Sequence, residues 1–371
     1  MDTLTQDAGH CPSEKRGKLP YLCVWAAPMG FLHKLRGISI LTGTLITVLV
    51  LNVVQLGSFL FWPFFKEPVH RFNCRMAEFV WDLLLRYARR FGGLRIVFSG
   101  DELPTRADGL PESAFVFSNH SSWTDWSILF ALAQKQHALS YVKFFAKNSV
   151  QYIPAFGLGM KLLGFIFLSR DFEKDKKTMA KSFSFLKSMH HPAWLFSFLE
   201  GHRFSKKLLK ESQEYAKNNK RPLLNHVLLP RYKGFQATIE AMKDKLDAVY
   251  DVTLGYPDRV PSLVDLVAGD KEWDIHVHVS RIPIADVPVE NVAQWCDERY
   301  VAKDALLSRF EQFRRFTLQE GEQDGAVGPS SSSSSKKGQE GEEIVAEDEV
   351  LASRTTRSSG RKAPTNSRLR R

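Results

Sequence analysis

The residues of this 371-residue chain best suited to chemistry lie in one short stretch, Phe115 to Trp126, which reads FVFSNHSSWTDW. His120 and Asp125 stand five apart in it. An unperturbed imidazole titrates near ~6.5, so at working pH it can take a proton from an alcohol as that alcohol attacks. A carboxylate that accepts from one ring nitrogen fixes the tautomer and leaves the other nitrogen free as a base. On one continuous helix, residues five apart diverge by about 140°. In a turn that precedes a helix, His120 can instead fold back toward Asp125.

The flanking sequence supplies such a turn. Ala114, Val116 and Ser118 alternate with Phe115 and Phe117, the pattern of a short buried strand that stops at Asn119-His120. A helical pattern follows, with Ser121 or Ser122 as N-cap and Trp126, Leu129, Phe130 and Ala133 on its apolar side. Ser122 to Asp125 also fits a capping box, in which Asp125 would only tie down the start of the helix.

Asn119-His120-Ser121-Ser122-Trp123-Thr124-Asp125 resembles the His-four-residues-Asp motif of the glycerolipid acyltransferases, the family of 1-acylglycerol-3-phosphate acyltransferases. Three further blocks resemble that family in the same order, and the likeness runs from about Arg95 to Phe316. Phe165 to Arg170 is similar to the second block, where an Arg after an apolar strand contacts the glycerol phosphate. Phe198-Leu199-Glu200-Gly201-His202-Arg203 is similar to the third, with His202 where the family usually has Thr. There Arg203 offers a planar fork suited to a phosphate. Gly201 allows a tight turn, and Glu200 is expected to hold the Arg or orient a substrate hydroxyl. Leu228 to Phe235, with Pro230, Arg231, Lys233 and Gly234, is similar to the fourth.

The resemblance implies acyl transfer from acyl-CoA to the free hydroxyl of a lysophospholipid, foremost 1-acylglycerol-3-phosphate. In that scheme His120 is the base and Asp125 orients it. Arg170 and Arg203 hold the acceptor phosphate. Asn119, with nearby N–H groups, steadies the oxyanion, and Arg231 and Lys233 meet phosphates of the donor or anionic headgroups. A thioester is already activated, so no Ser or Cys nucleophile and no cofactor is required. Two alternatives stand beside it: another acceptor such as lysophosphatidylinositol, and a catalytically silent lipid-binding protein of the same fold, which the intact His120/Asp125 pair disfavours.

Composition agrees with a lipid-handling protein. Hydrophobic residues make up 44%, enough for a full-sized core, and 27 Phe help raise aromatics to 12%. The net charge is +10, part of it in a tail where Arg354, Arg357, Arg361, Lys362, Arg368, Arg370 and Arg371 follow the last acid, Glu349. Basic excess fits nucleic acid, anionic lipid or phosphorylated substrate. An uncharged run from Gly37 to Phe65, longer than the ~20 residues that cross a bilayer, argues for lipid and against nucleic acid. The run starts too far from Met1 for a signal peptide. The four Cys show no pairing pattern, and His276/His278 lack a third partner for a metal, so neither a disulfide framework nor a metal site is expected.

Four segments follow: residues 1–32, polar, with Tyr21–Leu32 short and broken by Pro28 and Gly30; 33–91, a membrane-anchoring helix or re-entrant hairpin and an amphipathic helix over Phe72–Phe91; 92–318, an acyltransferase domain; 319–371, a disordered charged tail. Within the domain, strands at 95–99, 114–118, 140–145, 165–169, 193–199, 226–229, 248–254 and 275–279 alternate with helices. That predicts an α/β fold with a mostly parallel sheet of about seven strands flanked by helices. His120, Arg170, Glu200, Arg203 and Arg231 each follow a strand end, where open α/β sheets gather ligand groups. Membrane residence, in the endoplasmic reticulum, is the expected location.

Overall fold

Alternating apolar strands that are buried on both faces need cover on both sides, and the chain provides it. The structure, a computed structural model, describes residues 21–169 and 171–316. The strands are β1 (Leu94–Gly100), β2 (Ala114–Ser118), β3 (Val142–Lys147), β4 (Ile166–Leu168), β5 (Trp194–Ser197), β6 (Ala248–Gly255) and β7 (Trp273–Pro283). They form one sheet in the order β1-β7-β6-β2-β5-β3-β4, parallel except for the β6–β7 pair. The sequence reading of a mostly parallel seven-stranded α/β sheet holds.

β2 lies at its centre, between β5 and β6. Its alternation sends side chains into two separate cores. Ala114 and Val116 join Ile128, Leu129 and Leu132 of α3 (Asp125–Lys135), Leu85 of α2 (Lys66–Phe91) and Leu266 of α8 (Leu263–Ala268). Phe115 and Phe117 join Phe183 of α5 (Phe172–Ser188), Phe235 of α7 (Tyr232–Met242) and Tyr300 of α9 (Val292–Phe313). Each fully buried side chain of this kind contributes about 1.5–3 kcal/mol. The product is a three-layer α/β/α sandwich, with α4 (Phe156–Leu162) and α6 (Lys206–Asn218) in the connections after β3 and β5.

Three expectations are corrected. The helix α1 spans Tyr21–Ser58 without a break at Pro28 or Gly30, so no boundary falls at residue 32. A proline forfeits one helical N–H bond, a local loss near the start of a long helix. Residues 226–229 form no strand. N–H groups along 225–229 go to side chains instead of a ladder: Asn225 and His226 to Asp304, Leu228 to Glu200 and Leu229 to Ser212. The helix after His120 starts at Asp125 with Thr124 as N-cap, not at Ser121 or Ser122. The tail expected to be disordered, 319–371, lies outside the described residues.

Gly30–Phe61 is long and apolar enough to cross a membrane. Its packing inverts the usual rule for a surface helix. Asn52 and Gln55 are buried, with Asn52 donating to the Ala155 carbonyl at 2.5 Å, while Leu49, Val50, Val53 and Val54 are exposed. α2 turns back against it, Asn73 donating to Ser58 Oγ at 2.9 Å.

Candidate active site

His120 leaves the C-terminal end of β2 in a turn whose backbone is pinned on both sides. Its N–H donates to Glu200 Oε1 at 2.9 Å, and its carbonyl accepts from the Phe204 N–H at 2.7 Å. Its ring stacks on Phe198, with centroids 4.0 Å apart and planes 13° apart. Nδ1 lies 2.9 Å from Asp125 Oδ2. Nε2 meets no partner among the described residues, and the side chain is 20% exposed. The imidazole is therefore oriented from one side and open on the other, the arrangement a general base requires.

Asp125 is wholly buried. One oxygen, Oδ2, accepts from His120 and from the N–H groups of Ser121 (2.6 Å) and Ser122 (2.8 Å). The other, Oδ1, accepts the Tyr256 hydroxyl at 2.7 Å. The carboxylate thus closes the turn and holds the imidazole together. A capping box does not form, because Asp125 is the first helical residue and not the third. A carboxylate at a helix start is also favoured by the helix dipole.

Tyr256 escaped the sequence reading. It follows β6, which runs parallel to β2, so its position obeys the same strand-end rule as His120. Burial, then the neighbouring Asp125, push its phenol well above the ordinary value, which keeps it a donor. Phe198, which props the imidazole ring, was missed for a simpler reason: it reads as an ordinary apolar strand residue.

Glu200 departs from expectation. It does not hold Arg203. Its carboxyl is buried and accepts the N–H groups of His120 and Leu228, so it braces the His120 turn. Burial pushes its carboxyl up to about 8, against the pull of those two N–H bonds. Asn119 likewise faces inward. It is buried, and its amide exchanges two bonds with the Leu254 backbone, at 3.0 and 2.8 Å, so it ties β2 to β6 and does not face an oxyanion.

The basic groups sit on the rim. Arg203 is exposed, its guanidinium carbon 5.9 Å from the exposed Trp123 ring. Arg231 donates its N–H to the Leu199 carbonyl at 2.7 Å, and its Nη2 stands 3.3 Å from His202 Nδ1. Gly201 has φ +70, and a Cβ there would lie 3.0 Å from Arg231 Cδ. Pro230 is buried, its carbonyl accepting from Arg221. Arg170 falls outside the described residues. The lysine-rich segment after Arg203 is the helix α6, with Lys206, Lys207 and Lys210 exposed. His276 packs edge-on against Phe310, and the His278 ring lies beside Phe316. Among the described residues no group of three or more His, Cys, Asp and Glu is placed to hold a metal.

The family models "Acyltransferase" and "Acyltransferase C-terminus" match residues 95–256 and 265–337. The chain is 34% identical over 270 residues to 1-acyl-sn-glycerol-3-phosphate acyltransferase 2 of Brassica napus, covering 71% of this chain and 68% of that protein. It is 30% identical over 267 residues to 1-acyl-sn-glycerol-3-phosphate acyltransferase gamma of Homo sapiens, covering 71% and 70%. A solved structure, the 1-acyl-sn-glycerophosphate (LPA) acyltransferase PlsC from Thermotoga maritima, aligns over 72% of this chain and 97% of that one with TM-score 0.39 and 12% identity. With two family models covering well over half of its length, and relatives at 30% identity or more over two thirds of both chains, this chain belongs to the acyltransferase family and is an acyltransferase.

Proposed function

We propose that the enzyme transfers the acyl group of acyl-CoA to the free hydroxyl of 1-acyl-sn-glycerol-3-phosphate, giving phosphatidic acid. The observation that carries this reading is the His120 imidazole, held at Nδ1 by a buried carboxylate with Nε2 unengaged among the described residues. Nε2 takes the hydroxyl proton while that oxygen attacks the thioester carbonyl. The carbon–sulfur bond then breaks, and the departing thiolate recovers a proton from the imidazolium. Asp125 stabilises the imidazolium between these steps.

The acceptor is inferred from the names of the relatives and the basic rim. Arg203 and Arg170 are assigned to its phosphate, and Arg231 with the exposed lysines of α6 to the phosphates of the donor. The acyl chains of both substrates reside in a bilayer, and a helix able to cross one packs directly on the catalytic domain. Residence in the endoplasmic reticulum membrane is part of the proposal.

The test is a membrane-fraction assay with labelled acyl-CoA and a panel of lysolipids, for wild type and His120→Ala. Loss of the general base should lower turnover about 10²–10⁴-fold. Equal turnover in both would remove His120 from the chemistry. Turnover confined to an inositol headgroup would change the acceptor.

A further inference from the structure

Two adjoining cavities open at the C-terminal end of α3, the end of that helix remote from Asp125. One, of about 480 Å³, lies over Ile96 and Phe98 of β1 and is bordered by Arg89, Arg95, Lys135 and His137. The other, of about 320 Å³, runs along α2 past Phe79. Gln134 and His137 line both.

Four observations mark the larger cavity as a site. No acidic residue lines it. Arg89, an exposed residue, lines it and makes no hydrogen bond or ion pair to another described residue. Lys135 has Nζ over the Phe98 ring at 4.6 Å and no carboxylate partner among the described residues. Gln134 spends its Nε2 on Asp82 at 2.6 Å, which leaves its buried Oε1 without a partner among the described residues. The acids of the smaller cavity do not compete: Asp82 is engaged by Arg86 and Gln134, and burial raises the carboxyl of Glu78.

We propose that this cavity pair binds the phosphorylated headgroup of an anionic phospholipid, with Arg89 and Lys135 on the phosphate and Gln134 Oε1 accepting a headgroup hydroxyl. The bilayer is the source because α2, which carries Arg89, also exposes Phe79 in the lining of the smaller cavity and Leu83 one turn further on, and packs on the membrane-length helix α1. Two charges at a membrane surface predict a sizeable change in affinity.

The experiment uses the purified full chain and measures binding to vesicles of phosphatidylcholine, alone and with about one part in five phosphatidylglycerol, a lipid that is neither substrate nor product of the proposed reaction. Arg89→Gln/Lys135→Gln should weaken binding to the anionic vesicles about ten- to thirtyfold. Its turnover in neutral vesicles should match wild type, which reports an intact fold. The comparison variant is Arg71→Gln/Arg90→Gln, which removes two charges from exposed positions on the same helix outside the groove. An equal loss in both variants would mean general surface attraction and overturn the site. Binding of inorganic phosphate or glycerol 3-phosphate as tight as that of the vesicles would overturn the lipid as its source.

Discussion

Tyr256 donates its hydroxyl to the one oxygen of Asp125 that His120 does not use, at 2.7 Å. The phenol therefore fixes the carboxylate from behind while the imidazole is fixed in front. A hydrogen bond to a charged group contributes about 1.5–3 kcal/mol, part of which supports the orientation of His120. Tyr256→Phe keeps the ring and removes the donor. Turnover should fall about tenfold with KM little changed. Unaltered turnover would reduce Tyr256 to packing.

How much of this was legible beforehand depends on whether a residue's role lies in its own segment. The β2 alternation, the turn at His120 and the pairing with Asp125 are local, and short-range pattern suffices for them. The strand-end rule collected Arg203 and would have collected Tyr256 had it been applied to β6. Glu200 and Asn119 were misassigned because their partners, the N–H groups of His120 and Leu228 and the backbone of Leu254, are distant in sequence. A buried carboxyl that braces a turn and one that faces a substrate look the same in a motif. The 226–229 segment failed for a related reason. Its apolar pattern reads as a strand, but side chains up to 78 residues away took its N–H groups.

That segment yields its own prediction. Asp304 Oδ1 accepts from the N–H groups of Asn225 and His226 at 2.9 and 2.6 Å. The loop so held delivers the Leu228 N–H to Glu200, which in turn pins His120. Asp304→Ala should cost about 1–3 kcal/mol of stability and raise amide exchange across residues 225–229, with Asp304→Asn recovering most of the loss. Unchanged exchange in the Ala variant would mean that the loop is held by its apolar contacts instead.

At Gly201 the backbone has φ +70, and a Cβ would stand 3.0 and 3.1 Å from Cδ and Nε of Arg231. Gly201→Ala should thus cost about 1–2 kcal/mol for the left-handed conformation and displace the Arg231 side chain. If that guanidinium meets a substrate phosphate, KM should rise severalfold with kcat less affected. Kinetics with donor and acceptor varied separately identify which substrate it meets. A loss of stability with both KM values intact would remove Arg231 from binding.

The cluster around His70 sets the acid sensitivity of the fold. His70 and His191 are buried, their rings 5.6 Å apart, with His70 Nδ1 and His191 Nε2 lacking partners among the described residues. Burial, then the Lys143 charge, push the His70 imidazole down to about 2, and burial lowers that of His191. The His70 ring therefore stays neutral in the fold while the unfolded chain takes up its proton below about pH 6.5, and His191 is biased the same way. A depressed folded-state value means that stability is fully present above the unfolded value and is lost as pH falls. For His70 the expected slope approaches roughly 1.4 kcal/mol per pH unit below about pH 6.5, and His191 adds in the same direction. His70→Gln should remove the His70 share, read from denaturation midpoints of the two proteins between about pH 6.5 and 5. A midpoint independent of pH in wild type, or an undiminished slope in the variant, would show that these imidazoles are solvated and titrate normally.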